Sequence, residues 1–286
     1  MRFARFLHGG SPSYGLCEGD GVRALTGDIF GAYEVSSATL SLSEVTLLAP
    51  VLPSKILAAA VNYPSHVPSA KAIVDRDEAP AIPQLFLKPP SSVIAPGETI
   101  VIPEGARRVD AEGELVAVIG RRCKDVSAGA ALDYVFGYTC GNDVSARHWQ
   151  RDDIQWWRAK GSDTFSPLGP FIVTGLDPAN LVLRTRLNGE VVQETNTGAM
   201  IRGVAELVSF ASRVMTLEPG DLVYSGTPGV TPKLEDGDLV EVEIEGVGTL
   251  SNPVVRIAPR RKLRASEKDS RPDGRTSSLR PGRARK

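Results

Sequence analysis

Apolar and polar residues alternate over short stretches along most of this chain, and a period of two marks β-strands. Near the start, Arg2-Phe3-Ala4-Arg5-Phe6, Tyr14-Gly15-Leu16-Cys17 and Gly21-Val22-Arg23-Ala24-Leu25 are separated by Gly and Ser turns. They predict a small β-rich cap over 1–50, closed by the proline-bounded linker Leu47–Pro53. The apolar run Lys55–Val61 predicts a buried strand and ends in Asn62-Tyr63-Pro64-Ser65-His66. Such a polar exit from a buried element is where functional groups concentrate. From Pro64 to Pro83 four prolines and the cluster Asp75-Arg76-Asp77-Glu78 suit a surface flap. Further strands are predicted at Ile100-Val101-Ile102, over Asp133–Cys140 and after Pro167-Leu168-Gly169-Pro170. Asn188-Gly189 between two alternating runs is the signature of a type I′ hairpin. Val204, Leu207, Val208, Ala211, Val214 and Met215 keep the spacing of one amphipathic helix. Val240, Val242 and Ile244 alternate with Glu241, Glu243 and Glu245, predicting a half-exposed closing strand. The expected fold is β-dominated mixed α+β, with a main domain over 51–258. Beyond Ile257 apolar residues thin out, and 259–286 is expected to be a disordered basic tail.

The stretch that changes this picture is Val109–Gly120, in which Asp110, Glu112 and Glu114 alternate ahead of the apolar run Leu115–Ile119. On one strand these acids point the same way, roughly 6.6 Å apart. One hard cation, bound to carboxylate oxygen at about 2.0–2.6 Å, can touch both glutamates at that spacing. Alternating acids are also what the wet face of an antiparallel sheet shows, so the company they keep decides. A further acid, Asp143, follows the strand predicted to end near Cys140.

Charge is distributed unevenly. The net charge of the 286 residues is −1, yet 259–286 holds eleven basic and three acidic residues, leaving 22 basic and 31 acidic before it. An acidic body argues against nucleic acid as the partner. No apolar run approaches the ~18 residues of a membrane span, and the first ten residues lack the apolar core of a signal peptide. Three scattered cysteines match no zinc spacing and suggest reduced thiols in a cytoplasm.

Seven motifs, in order across about 51–257, resemble the fumarylacetoacetate hydrolase family. They are Asn62-Tyr63-Pro64-Ser65-His66, Phe86-Leu87-Lys88-Pro89, Glu112-Gly113-Glu114-Leu115, Gly141–Arg147, Lys160-Gly161-Ser162-Asp163-Thr164, Pro167-Leu168-Gly169-Pro170 and Ser225-Gly226-Thr227-Pro228-Gly229. The resemblance implies a β-sandwich or β-roll with short helices, a homodimer, and Mg²⁺ or Mn²⁺. It implies Glu112, Glu114 and Asp143 as metal ligands and Lys160 beside the metal. Arg147, Gln150 and Thr227 fall on the substrate side, and His66 stands where the family has its base. Arg147 has a second reading, a structural pair with Asp143. The implied activity is hydrolysis of a C–C bond in an acylpyruvate-type 2,4-dioxo acid through a metal-stabilised enolate. Isomerisation or decarboxylation of a 2-oxo or hydroxymuconate-type acid is the alternative, as in aromatic catabolism; a metal-binding relic without activity is another. One departure stands out. The family's glutamate three residues after the histidine is Ser69 here, and Pro64 and Pro68 are expected to disturb a short helix at that point. Asp75, Asp77 or Glu78 would then have to supply the acid.

Overall fold

The computed structural model describes residues 1–68, 71 and 78–258. The tail 259–286 and the positions Ser69, Asp75 and Asp77 lie outside the described residues, while Glu78 is exposed. Within these bounds the fold is β-dominated, as the alternation predicts. A large sheet and a five-stranded sheet pack face to face, and short helices fill their margins.

The large sheet begins with the N-terminal strands Arg2–His8, Ser11–Glu18 and Gly21–Gly27. They join the main sheet directly, because Arg2 and Phe3 pair with Val173 and Ile172 of the strand Ser166–Val173. From there the order runs through Val135–Asn142, Gly113–Ile119, Leu222–Tyr224, Ile56–Ala60 and Gln84–Lys88. The strand Gly113–Ile119 is buried on both faces. Leu115, Ala117 and Ile119 join the core shared with the five-stranded sheet, while Val116 and Val118 join a second core with Phe3, Ile56 and Leu222.

The five-stranded sheet orders Ile100–Ile102, Gly248–Arg256, Leu239–Ile244, Val182–Leu187 and Glu190–Asn196. Its hairpin turns at Asn188 and Gly189 with φ of 53° and 85°, the paired positive values that a type I′ turn requires. The helix Val204–Val214 turns Val204, Leu207, Val208 and Ala211 into the core. Its stripe stops one step early: Val214 is 70% exposed, and Met215 packs on the core from beyond the last turn.

Strand direction explains where the motifs meet. Gly113–Ile119 runs antiparallel to Val135–Asn142 and to Leu222–Tyr224, and Leu222–Tyr224 runs parallel to Ile56–Ala60. The start of the first strand therefore lies beside the ends of the other three. Glu112 and Glu114, Asp143, Ser225–Gly229 and Asn62–His66 arrive at one end of the sheet from four places in the sequence.

Two expectations need correction. The acidic stretch is not one strand: Val109–Asp110 pairs with Ser145–Ala146 in a separate ladder, and the main strand starts only at Gly113. The Ala111 N–H bonds to Pro232 O at this break, so Asp110 does not line up with the two glutamates. Among the described residues Pro64 and Pro68 do not disturb the backbone either. Pro64 takes the first position of the 3₁₀ turn Pro64–His66, where a missing N–H costs nothing, and residues 67, 68 and 71 are helical.

Candidate active site

Gly113 lets the two glutamates sit where they do. A Cβ there would lie 2.2 Å from Thr185 Oγ1 and 3.3 Å from Val242, both on the facing sheet. Only hydrogen fits between the sheets, and the flanking Glu112 and Glu114 project toward the other face. Asn142 Oδ1 accepts from the Glu112 N–H at 2.9 Å, and the Asp143 N–H donates to Glu112 O at 2.9 Å. Among the described residues, the carboxylates able to share a cation are Glu112, Glu114 and Asp143, with one oxygen from each lying within 4.8 Å of the others. All three are buried.

Buried carboxylates need partners, and each has one. Lys160, from the short helix Trp157–Gly161, donates to Glu112 Oε2 at 2.6 Å and to Asp143 Oδ2 at 2.5 Å. Lys88 donates to Asp143 Oδ1 at 2.6 Å. Arg147 donates to Glu112 Oε1, and the Gly226 N–H donates to Glu114 Oε2 at 2.6 Å. The electrostatics follow from this layout. Burial pushes the Glu112 carboxyl up, but Arg147 and Lys160 outweigh it and hold the group well below the usual range. Burial, together with the charges of Asp143 and Glu112, drives Glu114 well above it. Burial opposes the charge on Lys160, yet Asp143 and Glu112 hold its ammonium above the ordinary lysine value. For Lys88 burial wins over Asp143, and the ammonium is pushed down. Three buried carboxylates with an oxygen of each turned toward the others form a donor set suited to a hard divalent cation.

These groups open onto a cleft lined by His66, Phe86, Gln150, Trp156 and Thr227 together with Glu112, Glu114, Arg147 and Lys160. His66 Nδ1 lies 2.7 Å from Gly229 O. A carbonyl only accepts, so Nδ1 is the donor of this bond, which in a neutral imidazole leaves the lone pair on Nε2. Two further bonds lock this loop contact: Gly229 N–H to Ser65 Oγ at 3.0 Å, and Asn62 Nδ2 to Ser225 O at 2.7 Å. Gly226 takes φ +94°, with Asn62 Cβ 2.8 Å from the position of its missing Cβ.

All eight residues named from the sequence thus lie in or against one cleft, but their contacts differ from expectation in one respect. Arg147 does not pair Asp143. Its Nε meets Asp110 Oδ2 at 2.9 Å, Nη1 meets Gln150 Oε1 at 3.0 Å, and Nη2 meets Glu112 and Thr231. Asp110 is the buttress of that arginine, also held by Arg108 and Thr231. Residues without a sequence-based role also matter here. Phe86 and Trp156 meet edge to face at 5.4 Å to form one wall, and Gln193 donates to Pro228 O behind Thr227. Lys88 is the largest omission. A same-face position two residues after Phe86 was the available signal.

A family model for the fumarylacetoacetate hydrolase C-terminal domain matches residues 55–255, and one for the N-terminal domain of Rv2993c-like proteins matches residues 1–50. The chain belongs to the fumarylacetoacetate hydrolase family. It is 49% identical to Protein Rv2993c of Mycobacterium tuberculosis over 79% of this chain and 85% of that protein. It is 41% identical to the mitochondrial oxaloacetate tautomerase fahd2 of Xenopus laevis over 78% of this chain and 73% of that one. Its fold matches a 5-carboxymethyl-2-hydroxymuconate delta-isomerase from Mycobacterium smegmatis with a TM-score of 0.83 and 45% identity, covering 90% of this chain and all of that one. It also matches a maleylpyruvate hydrolase from Sphingobium sp. SYK-6, solved with manganese(II) and pyruvate, at 0.74 and 29% over the same shares. The named enzymes among these relatives include isomerases, tautomerases and hydrolases. Among the described residues no helix is long and apolar enough to cross a membrane.

Proposed function

We propose that this protein is a divalent-cation-dependent enzyme that moves a proton on a small 2-oxo acid, interconverting keto and enol forms or shifting a double bond. The observation that carries the reading is the placing of the His66 ring, with Nδ1 bonded to Gly229 O, in the same cleft as three buried carboxylates and a lysine ammonium. The relatives named tautomerase or isomerase stand at 41–45% identity, whereas the solved structures named hydrolase stand at 29–34%. That reverses the order expected from the motifs alone.

Glu112, Glu114 and Asp143 would hold Mg²⁺ or Mn²⁺, consistent with the manganese and pyruvate in the hydrolase structure. When bound, such an ion acts as a Lewis acid on the 2-oxo carbonyl and raises the acidity of the carbon beside it. His66 Nε2 takes the proton from that carbon and returns it to the far end of the enol or diene. Its Nδ1–H bond to Gly229 O holds the ring in the required tautomer throughout. The Lys160 ammonium stabilises the oxyanion that builds up on the former carbonyl oxygen, a role suited to a fixed donor in a dry site. Gln150, oriented by Arg147, and Thr227 hold the substrate carboxylate. Phe86 and Trp156 exclude water from one side. We infer a homodimer working on soluble 2-oxo acids in the cytoplasm.

C–C hydrolysis of an acylpyruvate is the second reading, favoured by the maleylpyruvate hydrolase likeness. It requires His66 to activate water rather than to move a carbon-bound proton. Enol oxaloacetate, a hydroxymuconate and an acylpyruvate, each offered with Mn²⁺ and then with a chelator, separate the readings. Loss of enol absorbance with deuterium uptake at the carbon is the expected outcome. Failure to turn over any of the three with metal present overturns both.

A further inference from the structure

Each carboxylate of the cluster is gripped from behind through one oxygen only. Arg147 holds Glu112 Oε1, the Gly226 N–H holds Glu114 Oε2, and Lys88 holds Asp143 Oδ1. On the inner side Lys160 spans the other oxygens of Glu112 and Asp143. The grip of Lys88 is the most costly of the three to release. Its side chain is fully buried, and its ammonium has three N–H donors, all of them used. Asp143 Oδ1 takes one, Phe165 O takes another at 2.9 Å, and Lys160 O takes the third.

We propose that Lys88 is a positioning residue that makes Asp143 a one-oxygen ligand and thereby selects a small octahedral cation over Ca²⁺. This rests on the cation site proposed above. Ca²⁺ gathers 6–8 oxygens at 2.3–2.6 Å and uses carboxylates in bidentate fashion to reach that number, whereas Mg²⁺ needs six at 2.0–2.1 Å. A cation that took both oxygens of Asp143 would compete with Lys88 for Oδ1, its anionic hydrogen-bond partner among the described residues. That leaves a buried ammonium with an unpaired donor, among the least favourable states for a polar group in a core. The same ammonium bonds the main chain of Lys160, so it sets the ligand and the neighbouring lysine from a single atom.

The test compares cation preference, not turnover. Dissociation constants for Mn²⁺, Mg²⁺ and Ca²⁺ are measured by calorimetry on the full chain, on Lys88→Met and on Lys88→Gln, whose amide still donates. The parent is expected to bind Mn²⁺ at least about tenfold more tightly than Ca²⁺. In Lys88→Met this ratio is expected to fall by about tenfold, while Lys88→Gln stays nearer the parent. A merely structural lysine would weaken all three ions together and leave the ratio alone. An unchanged ratio in Lys88→Met overturns the proposal. If that variant does not fold, the parent decides, since equal affinity for Mn²⁺ and Ca²⁺ overturns it too. A parent that binds none of the ions removes the cation site itself, a different failure from a site that binds them without preference.

Discussion

His66 and Gly229 are 163 residues apart in sequence, yet His66 Nδ1 lies 2.7 Å from the Gly229 carbonyl. That contact orients the ring through the backbone of a distant loop. His66→Ala is therefore expected to lower deuterium uptake and turnover by about 10²-fold or more, the usual share of an oriented base. The fold and the cation response should survive. Parental rates in the variant would remove His66 from the chemistry.

Glu114 separates cation binding from folding. Its carboxyl is raised well above the ordinary value by burial and by Asp143 and Glu112. The unfolded chain titrates near 4.3, so at higher pH the metal-free fold must keep Glu114 protonated or carry its charge. This contribution is fully present below the unfolded value and is lost as pH rises through the folded one. Glu114→Gln should flatten that slope, melt no lower than the parent at neutral pH without metal, and lose the Mn²⁺-dependent rise in melting temperature. A variant with the parental Mn²⁺ shift would take Glu114 out of the ligand set.

Lys160 shares Glu112 and Asp143 with any cation bound there. Lys160→Met is expected to destabilise the metal-free protein by about 3–5 kcal/mol, the usual effect of removing one partner from a buried pair. It should also tighten Mn²⁺ binding, because a competing positive charge is gone, and should abolish turnover. Urea unfolding with and without Mn²⁺ reads the first two effects. Weaker Mn²⁺ binding in the variant would mean that Lys160 supports the cation instead of competing with it.

Gly113 predicts a purely steric failure. With Thr185 Oγ1 2.2 Å from a new Cβ, Gly113→Ala must part the two sheets. Overpacking of this kind typically costs about 1–3 kcal/mol. Thr185→Ala, which removes the obstructing hydroxyl, should recover much of it in the double variant. Strict additivity of the two changes in denaturant unfolding would argue that the contact is not the cause.

Local sequence pattern was enough to predict many of the strands, the Asn188-Gly189 hairpin and the helix Val204–Val214. Each of these depends on neighbours a few positions away. The site was readable only through motif order, because its parts converge by strand pairing over long separations. Asp110 shows the limit. By period alone it belongs with Glu112 and Glu114, but the backbone leaves the sheet at Ala111 to bond Pro232, which no local pattern announces. Lys88 shows another. A lysine at a strand end reads as solvated until its three acceptors, from Asp143, Lys160 and Phe165, are seen around it. Arg147 lines the cleft, and of its two readings the pairing with Asp143 gives way to one with Asp110 and Glu112.

The parallel pairing of Ile56–Ala60 with Leu222–Tyr224 bears on how members of this family diverge. Parallel neighbours release their chains from the same edge, so the histidine and the loop that orients it start side by side without any direct connection. The chain leaving His66 rejoins the sheet only at Gln84, and neither strand dictates what lies between. The length and sequence between His66 and Gln84 are thereby not fixed by the pairing that brings His66 beside Gly229, and this is where members of the family can differ.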